Sequence, residues 1–158
     1  MSKASLNRAI GAGSVVVLDT SAVLAYLDGS EATSPAATDV LDELIQAGRN
    51  KGLISAVTVT EAMVRPFRLA SAPAIATAET FLGMFPNLQV VSIDFAIARE
   101  AARVRALTGL ATPDCLVIST AIVMGADVIV ANDESWRVAL GKLGDPVRLC
   151  LLADHSDA

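Results

Sequence analysis

"VVVLDTSAVLAYL", residues 15–27, decides how the rest of the chain is read. Four apolar residues, Val15 to Leu18, end at Asp19; Thr20 and Ser21 follow, and apolar residues then resume with helical spacing to Leu27. A continuous β-branched run of this kind suits a parallel strand covered on both faces. The Asp-Thr-Ser step suits the start of a helix. Strand followed directly by helix is the unit of an α/β fold. It also poses a question. Asp19 either caps the helix or is one piece of a site at the strand's end, and other acids in similar places decide between the two.

Working outward, the same alternation repeats. "GLISAV", "NLQVVSI", "ADVIVA" and "PVRLCLL" read as four further strands. "SPAATDVLDELIQAG" reads as a helix with Ser34 as N-cap, Pro35 at the first helical position and Gly48 as its stop. "TVTEAMVRPF" is expected to be a helix disturbed at Pro66. "SAPAIATAETFLGMF" reads as the next helix, and "DFAIAREAARVRALTG" as an amphipathic one opened by Asp94. "TPDCLVISTAIVMG" reads as a helix with Thr112 as N-cap, and "DESWRVALGKLG" as a short last one. The expected architecture is α/β: a mostly parallel central sheet of about five strands sandwiched by helices. Residues 1–13 are expected to be a flexible leader, 14–152 a single domain, and 153–158 a polar tail.

Composition narrows the chemistry. Of 158 residues, 53% are hydrophobic and 18% charged, and the mean hydropathy is +0.55. So apolar a chain is expected to bury part of its surface against a second copy or another protein. A net charge of −5 argues against a general polyanion-binding surface, though not against local basic patches. The only histidine is His155, in the tail, which removes Ser-His-Asp, Cys-His and zinc-hydrolase chemistry from the core. Cys115 and Cys150 show no metal-binding spacing, and a reduced, cytoplasmic setting is the expectation. "RAIGAGSVVVLDTSAVLA" is split by Asp19 with no convincing cleavage site after it, and "CLVISTAIVMGA" falls short of the ~20 apolar residues of a membrane span, so no membrane is expected.

Ligands of open parallel sheets bind beyond the carboxyl ends of the strands. Asp19 follows the first strand and Asp133 the fourth; Glu61 lies early in the helix after the second, and Asp114 in the first turn of the helix opened at Thr112-Pro113. These four acids are 42, 53 and 19 residues apart and could converge on one cleft. Two like charges ~5 Å apart repel by roughly 3 kcal/mol at an effective dielectric near 20. Either some of the carboxyls stay protonated or divalent cations neutralise them. Oxygen ligands without His or Cys suit Mg²⁺ or Mn²⁺, and such a site suits phosphodiester hydrolysis. Each acid also has an ordinary reading: a helix cap for Asp19, dipole complement for Asp114, an Asn-Asp turn for Asp133, a solvated helix residue for Glu61.

At these residues the sequence resembles the PIN domain family, particularly VapC-type toxins of toxin–antitoxin pairs. The matching stretches are "VLDTSAVLAYL", "SAVTVTEAM", "TPDCLVISTAIVMGADVIVANDESW" and "PVRL", spanning residue 15 to about 150. The third is the most specific: Asp114, Ala121, Gly125-Ala126, Asp133 and Trp136 fall in the family's order. The resemblance implies that Asp19, Glu61, Asp114 and Asp133 bind Mg²⁺ or Mn²⁺ and support RNA cleavage, with tRNA or rRNA as substrate. Ser21 would support Asp19, with helix capping as its alternative. The family often has Thr or Ser two residues before the last Asp; here Ala131 stands there, and Asn132 is the candidate substitute. Arg65, Arg68, Arg49 and Lys51 are candidate RNA contacts, or simply surface charges. The resemblance further implies a homodimer and a cognate antitoxin seated in an apolar groove near the site. A PIN fold without catalysis, serving in assembly, is the competing reading. A haloacid-dehalogenase-like phosphatase fits less well, because that chemistry wants an acid where Ser21 stands.

Overall fold

The computed structural model describes residues 2–156. The five expected strands are β1 (Val15–Leu18), β2 (Lys51–Ser55), β3 (Leu88–Val91), β4 (Val128–Ala131) and β5 (Arg148–Leu151). All pair in parallel, in the order β3-β2-β1-β4-β5. β1 lies at the centre, with Val16 beside Gly52 on one flank and Val128 on the other. The chain builds outward from β1 through β2 to β3, then crosses back to β4 and β5. The strand order therefore reverses between β1 and β4, where such sheets open a crevice at their carboxyl edge.

The helices are α1 (Ser2–Ile10), α2 (Thr20–Asp28), α3 (Ser34–Thr38, widening into a π-type helix over Asp39–Gln46), α4 (Ala56–Arg68) and α5 (Ala72–Met84). They continue with α6 (Phe95–Thr108), α7 (Thr112–Val123), α8 (Ser135–Lys142) and a closing 3-10 turn, Leu152–His155. Successive strand residues point to opposite faces, so the sheet divides the core in two. Val16, Leu18, Val128, Val130 and Cys150 pack with residues of α1 to α5. Val17, Leu53, Ile129, Ala131 and Leu151 pack with α6, α7 and α8, where Trp136 is completely buried. Gly52 has its own reason: a Cβ there would lie 2.8 Å from Leu88 Cδ1 and 2.9 Å from Ile45 Cδ1.

Several local features differ from the expectation or add to it. The leader forms α1 over residues 2–10, with Leu6 and Ile10 buried against the sheet's first face. Leu6 and Ile10 are one turn apart, and that single apolar stripe is enough once a surface exists to receive it. Over its described part the tail is the 3-10 turn, where Ser5 of α1 and His155 hydrogen-bond each other. Ser34 and Thr112 are first helical residues rather than caps; the cap positions belong to Thr33 and Ala111. The Ser34 hydroxyl instead donates to the Ala25 carbonyl (2.6 Å) and accepts from Glu31 N–H (3.0 Å), closing the turn after α2. α4 remains helical through Pro66 to Arg68. Asp94 does cap α6, accepting from Ile97 N–H at 2.9 Å. Among the described residues no single helix is long and apolar enough to cross a membrane.

Candidate active site

The carboxyl edge between β1 and β4 is tied together by side chains of the residues that end those strands. Asp19 N–H donates to Val130 O (2.9 Å), extending the β1–β4 pairing by one residue. Asp19 is only 6% exposed. Oδ2 accepts from the Ser21 hydroxyl (2.6 Å) and from Ser21 N–H (3.3 Å), so Asp19 is the N-cap of α2. The same Ser21 hydroxyl accepts from Asn132 N–H (3.0 Å), beyond β4. Ser21 thus bridges the two strand ends. Asn132 in turn donates from Nδ2 to Thr33 Oγ1 (2.7 Å), fastening the turn after α2, while its buried Oδ1 has no protein partner.

Glu61 is reached from α4, which leaves the carboxyl end of β2. The Thr20 hydroxyl donates to Glu61 Oε1 (2.9 Å). Thr20 has one hydroxyl proton, so in its 3.0 Å contact with Thr58 it is Thr58 that donates. Thr58→Thr20→Glu61 is therefore a directed relay. Asp133 lies two residues past β4; its Oδ1 accepts from Ser135 N–H (2.9 Å) and its carbonyl from Trp136 N–H (3.2 Å), which sets the first turn of α8. Asp114 enters on the first turn of α7, half-buried, after Pro113.

Asp114 feels the other three acids, and Asp19 feels Glu61. Burial raises the Asp114 pKa to about 6, with further upward pushes from Asp19, Asp133 and Glu61. Burial also raises the Asp19 carboxyl, against the hydrogen bonds from Ser21 and Thr20, which hold it down; Glu61 adds a smaller upward push. The structure thus brings Asp19, Glu61, Asp114 and Asp133 to one edge, with Ser21 and Asn132 beside them. Thr20 and Thr58 were missed in the sequence. The available signal was the i, i+3 spacing of Thr58 and Glu61, meaningful only once α2 lies against α4.

The basic candidates divide. Arg65 is on α4 beside Glu61's face and pairs with Asp28 at 3.6 Å; Arg68 ends the same helix. Arg49 and Lys51 precede and begin β2, at the sheet's amino edge, opposite the acids. There they line a ≈ 480 Å³ hollow with Gly13 and Asn87. They therefore stand away from the acidic cleft, because a parallel strand carries its first and last residues to opposite edges. Next to Glu61, between α2, α4 and α5, runs an apolar groove of ≈ 690 Å³ walled by Leu24, Val64, Leu69 and Ala78.

Would a metal fit? Among the described residues, no three Asp, Glu, His or Cys side chains stand close enough to hold an ion by protein ligands alone. The donor chemistry is nonetheless all-oxygen, with a buried acceptor, Asn132 Oδ1, left without a partner at the same edge. That set fits a hard divalent cation that keeps most of its waters and takes one or two carboxylates, rather than a closed cage.

Comparison with known proteins gives a consistent picture. A family model described as the PIN domain matches residues 16–140. Among solved structures, FitAcB from Neisseria gonorrhoeae aligns over 85% of this chain and 95% of that one, at 19% identity and a TM-score of 0.64. VapC20 of Mycobacterium tuberculosis, described as a Sarcin-Ricin loop cleaving toxin, aligns over 78% and 94%, at 16% identity and a TM-score of 0.62. VapBC2 from Rickettsia felis, solved with a DNA fragment from its promoter, aligns over 87% and 98%, at 15% identity and a TM-score of 0.61. At these identities the structural likeness speaks for the fold. No curated protein matches the chain.

Proposed function

The chain belongs to the PIN domain family, and we propose that it is a divalent-metal-dependent endoribonuclease, the toxin of a VapBC-type toxin–antitoxin pair. The observation that carries this reading is the gathering of Asp19, Glu61, Asp114 and Asp133 at the crevice edge, where burial and the other three acids push the Asp114 carboxyl up. Titratable groups shifted by burial and by like charges in a crevice are candidate functional groups. Asp19, Glu61, Asp114 and Asp133 would hold Mg²⁺ or Mn²⁺ between them, one or two directly and the others through its waters. When bound, the cation supplies Lewis-acid polarisation of a phosphoryl oxygen and lowers the pKa of a coordinated water.

The chain's own part is orientation. Ser21 fixes Asp19 through Oδ2, Thr20 fixes Glu61 through Oε1, and the Ser135 amide fixes Asp133 through Oδ1. Three of the four carboxylates are therefore anchored by one oxygen before substrate arrives, which spares reorganisation during reaction. Ser21 also touches both strand ends, and this supports the view that Asn132 and Ser21 together do the work of the hydroxyl that Ala131 lacks. The apolar groove beside Glu61 has the shape for an amphipathic segment of an antitoxin, and Arg65 and Glu61 at its side give that segment charges to meet. Exposed Met84 and Phe95 suit burial against a second copy. The proposed setting is the cytoplasm, with tRNA or rRNA as substrate.

Ala131, and the absence of three gathered ligands among the described residues, favour the rival reading of a PIN fold that only binds. One experiment separates them. Purified chain is incubated with total RNA and Mg²⁺, Mn²⁺ or EDTA, beside Asp114→Asn. Discrete cleavage that needs the cation and falls at least a hundredfold in the variant is expected. Intact RNA in every lane, or cleavage indifferent to EDTA and to Asp114→Asn, would sink the nuclease reading.

A further inference from the structure

The corner between α6 and α7 holds a cation in a fixed place. Gly109, at φ +73°, ends α6, its N–H bonded to Arg105 O at 2.8 Å, and the two helix axes meet there at 118°. The Arg105 side chain folds forward over this corner. Its Nη1 donates to Thr112 Oγ1 (3.0 Å) and to the Leu110 carbonyl (3.3 Å). Thr112 opens α7 two residues before Asp114. Burial pushes the neighbouring Cys115 thiol up, and the Arg105 charge draws it back, so the guanidinium lies close to the first turn of α7.

Its partners are all neutral. Arg65, Arg103 and Arg137 each face a carboxylate, whereas among the described residues Arg105 has no ion pair. A guanidinium has five N–H donors in a rigid fork, and the two bonds here both use Nη1. Nε and Nη2 stay available, with the charge undiminished. Two neutral acceptors thus hold an exposed, fully charged guanidinium against the first turn of α7, the turn that carries Asp114. Immobilised in advance, such a group loses little entropy on gripping an anion.

We propose that Arg105 is an RNA-contact residue, whose guanidinium binds a backbone phosphate next to the one at the acidic edge. This rests on the ribonuclease reading. The acids face the scissile phosphate, and Arg105 supplies the cation that the strand's next phosphate needs in a chain of net charge −5. A guanidinium that merely staples the corner would show none of the ionic signature of phosphate binding.

The test is the apparent KM for total RNA across a series of salt concentrations, with Arg105→Ala, Arg105→Lys and, as a charge-matched control on the same helix, Arg99→Ala. Releasing one phosphate of a single strand from its cation lowers the slope of log KM against log salt by about 0.7. Arg105→Ala is expected to raise KM roughly fivefold at low salt and to reduce the slope by that amount, with kcat nearly kept. Arg105→Lys, which keeps the charge, should keep the slope with an intermediate KM, and Arg99→Ala should match wild type. Wild-type KM and slope in Arg105→Ala overturn the proposal while leaving the nuclease reading intact. So does a fall in melting temperature and kcat with an unchanged slope, the mark of a staple. A wild-type chain that cuts no RNA overturns the nuclease reading, and the role of Arg105 with it.

Discussion

Asp19 caps a helix and faces a cluster of acids at the same time, and the two roles depend on each other. Capping by Ser21 N–H fixes the carboxylate at the strand end, and burial there penalises its charge. Asp114 shows the consequence most clearly. Its folded pKa, about 6, lies above the ordinary 3.8. The folded chain therefore binds the proton more tightly than the unfolded one, and stability falls as pH rises from about 4 to about 6. The full shift would correspond to about 3 kcal/mol; since the side chain is half-exposed, screening by solvent reduces this to about 1 kcal/mol. In EDTA, Asp114→Asn should accordingly be more stable than wild type by about 1 kcal/mol at pH 7.5, the gain vanishing near pH 4. Urea unfolding at the two pH values checks it. A variant less stable than wild type at pH 7.5 would refute the repulsion. Asp19 and Asp114 were legible in the sequence because they stand at element boundaries. The Thr58→Thr20→Glu61 relay was not, because no local pattern says that α2 and α4 touch.

At the scale of elements, strands read more reliably than helix ends. A buried parallel strand is a short apolar run, continuous in β1 and β4 and broken by one or two polar residues in β2, β3 and β5, and each of the five was visible in the sequence. Helix ends depend on a single residue's torsions and on which hydroxyl turns where. Ser34 was expected to cap and instead closes a turn through Ala25 O. α1 was missed for a different reason: a nine-residue helix with one thin apolar stripe has little stability alone. Its order comes from what it docks on, with Leu6 and Ile10 in the core and Arg148 donating to the Ala9 and Ile10 carbonyls. Leu6→Ala should cost about 2–5 kcal/mol, the range for a buried leucine, measured by chemical denaturation. A loss under about 0.5 kcal/mol would mean that residues 2–10 behave as the loose leader the sequence suggested.

Across the whole molecule, the four candidate acids and the Arg49–Lys51 pair stand at opposite edges of the sheet: the acids lie where strands end or on the helices beyond them, and Arg49 and Lys51 where β2 begins. Parallel pairing fixes this separation, since every strand runs the same way. The double variant Arg49→Ala/Lys51→Ala should leave RNA cleavage within about twofold of wild type, because screening leaves little interaction between exposed charges separated by more than a Debye length of ~8 Å. A loss of tenfold or more would mean that RNA wraps from one edge to the other.

Some of this was written in the chain's own order. Burial and alternation require only neighbours in sequence, so five strands, most of the helices and the boundary positions of Asp19, Asp114 and Asp133 could be read directly. Other features exist only between segments far apart: the reversal between β1 and β4, Ser21 bridging two strand ends 111 residues apart, the Glu61 relay, the docking of α1 and the pinning of Arg105. These are interactions whose free energy appears only after the loops between them are closed, and no single stretch of residues carries it.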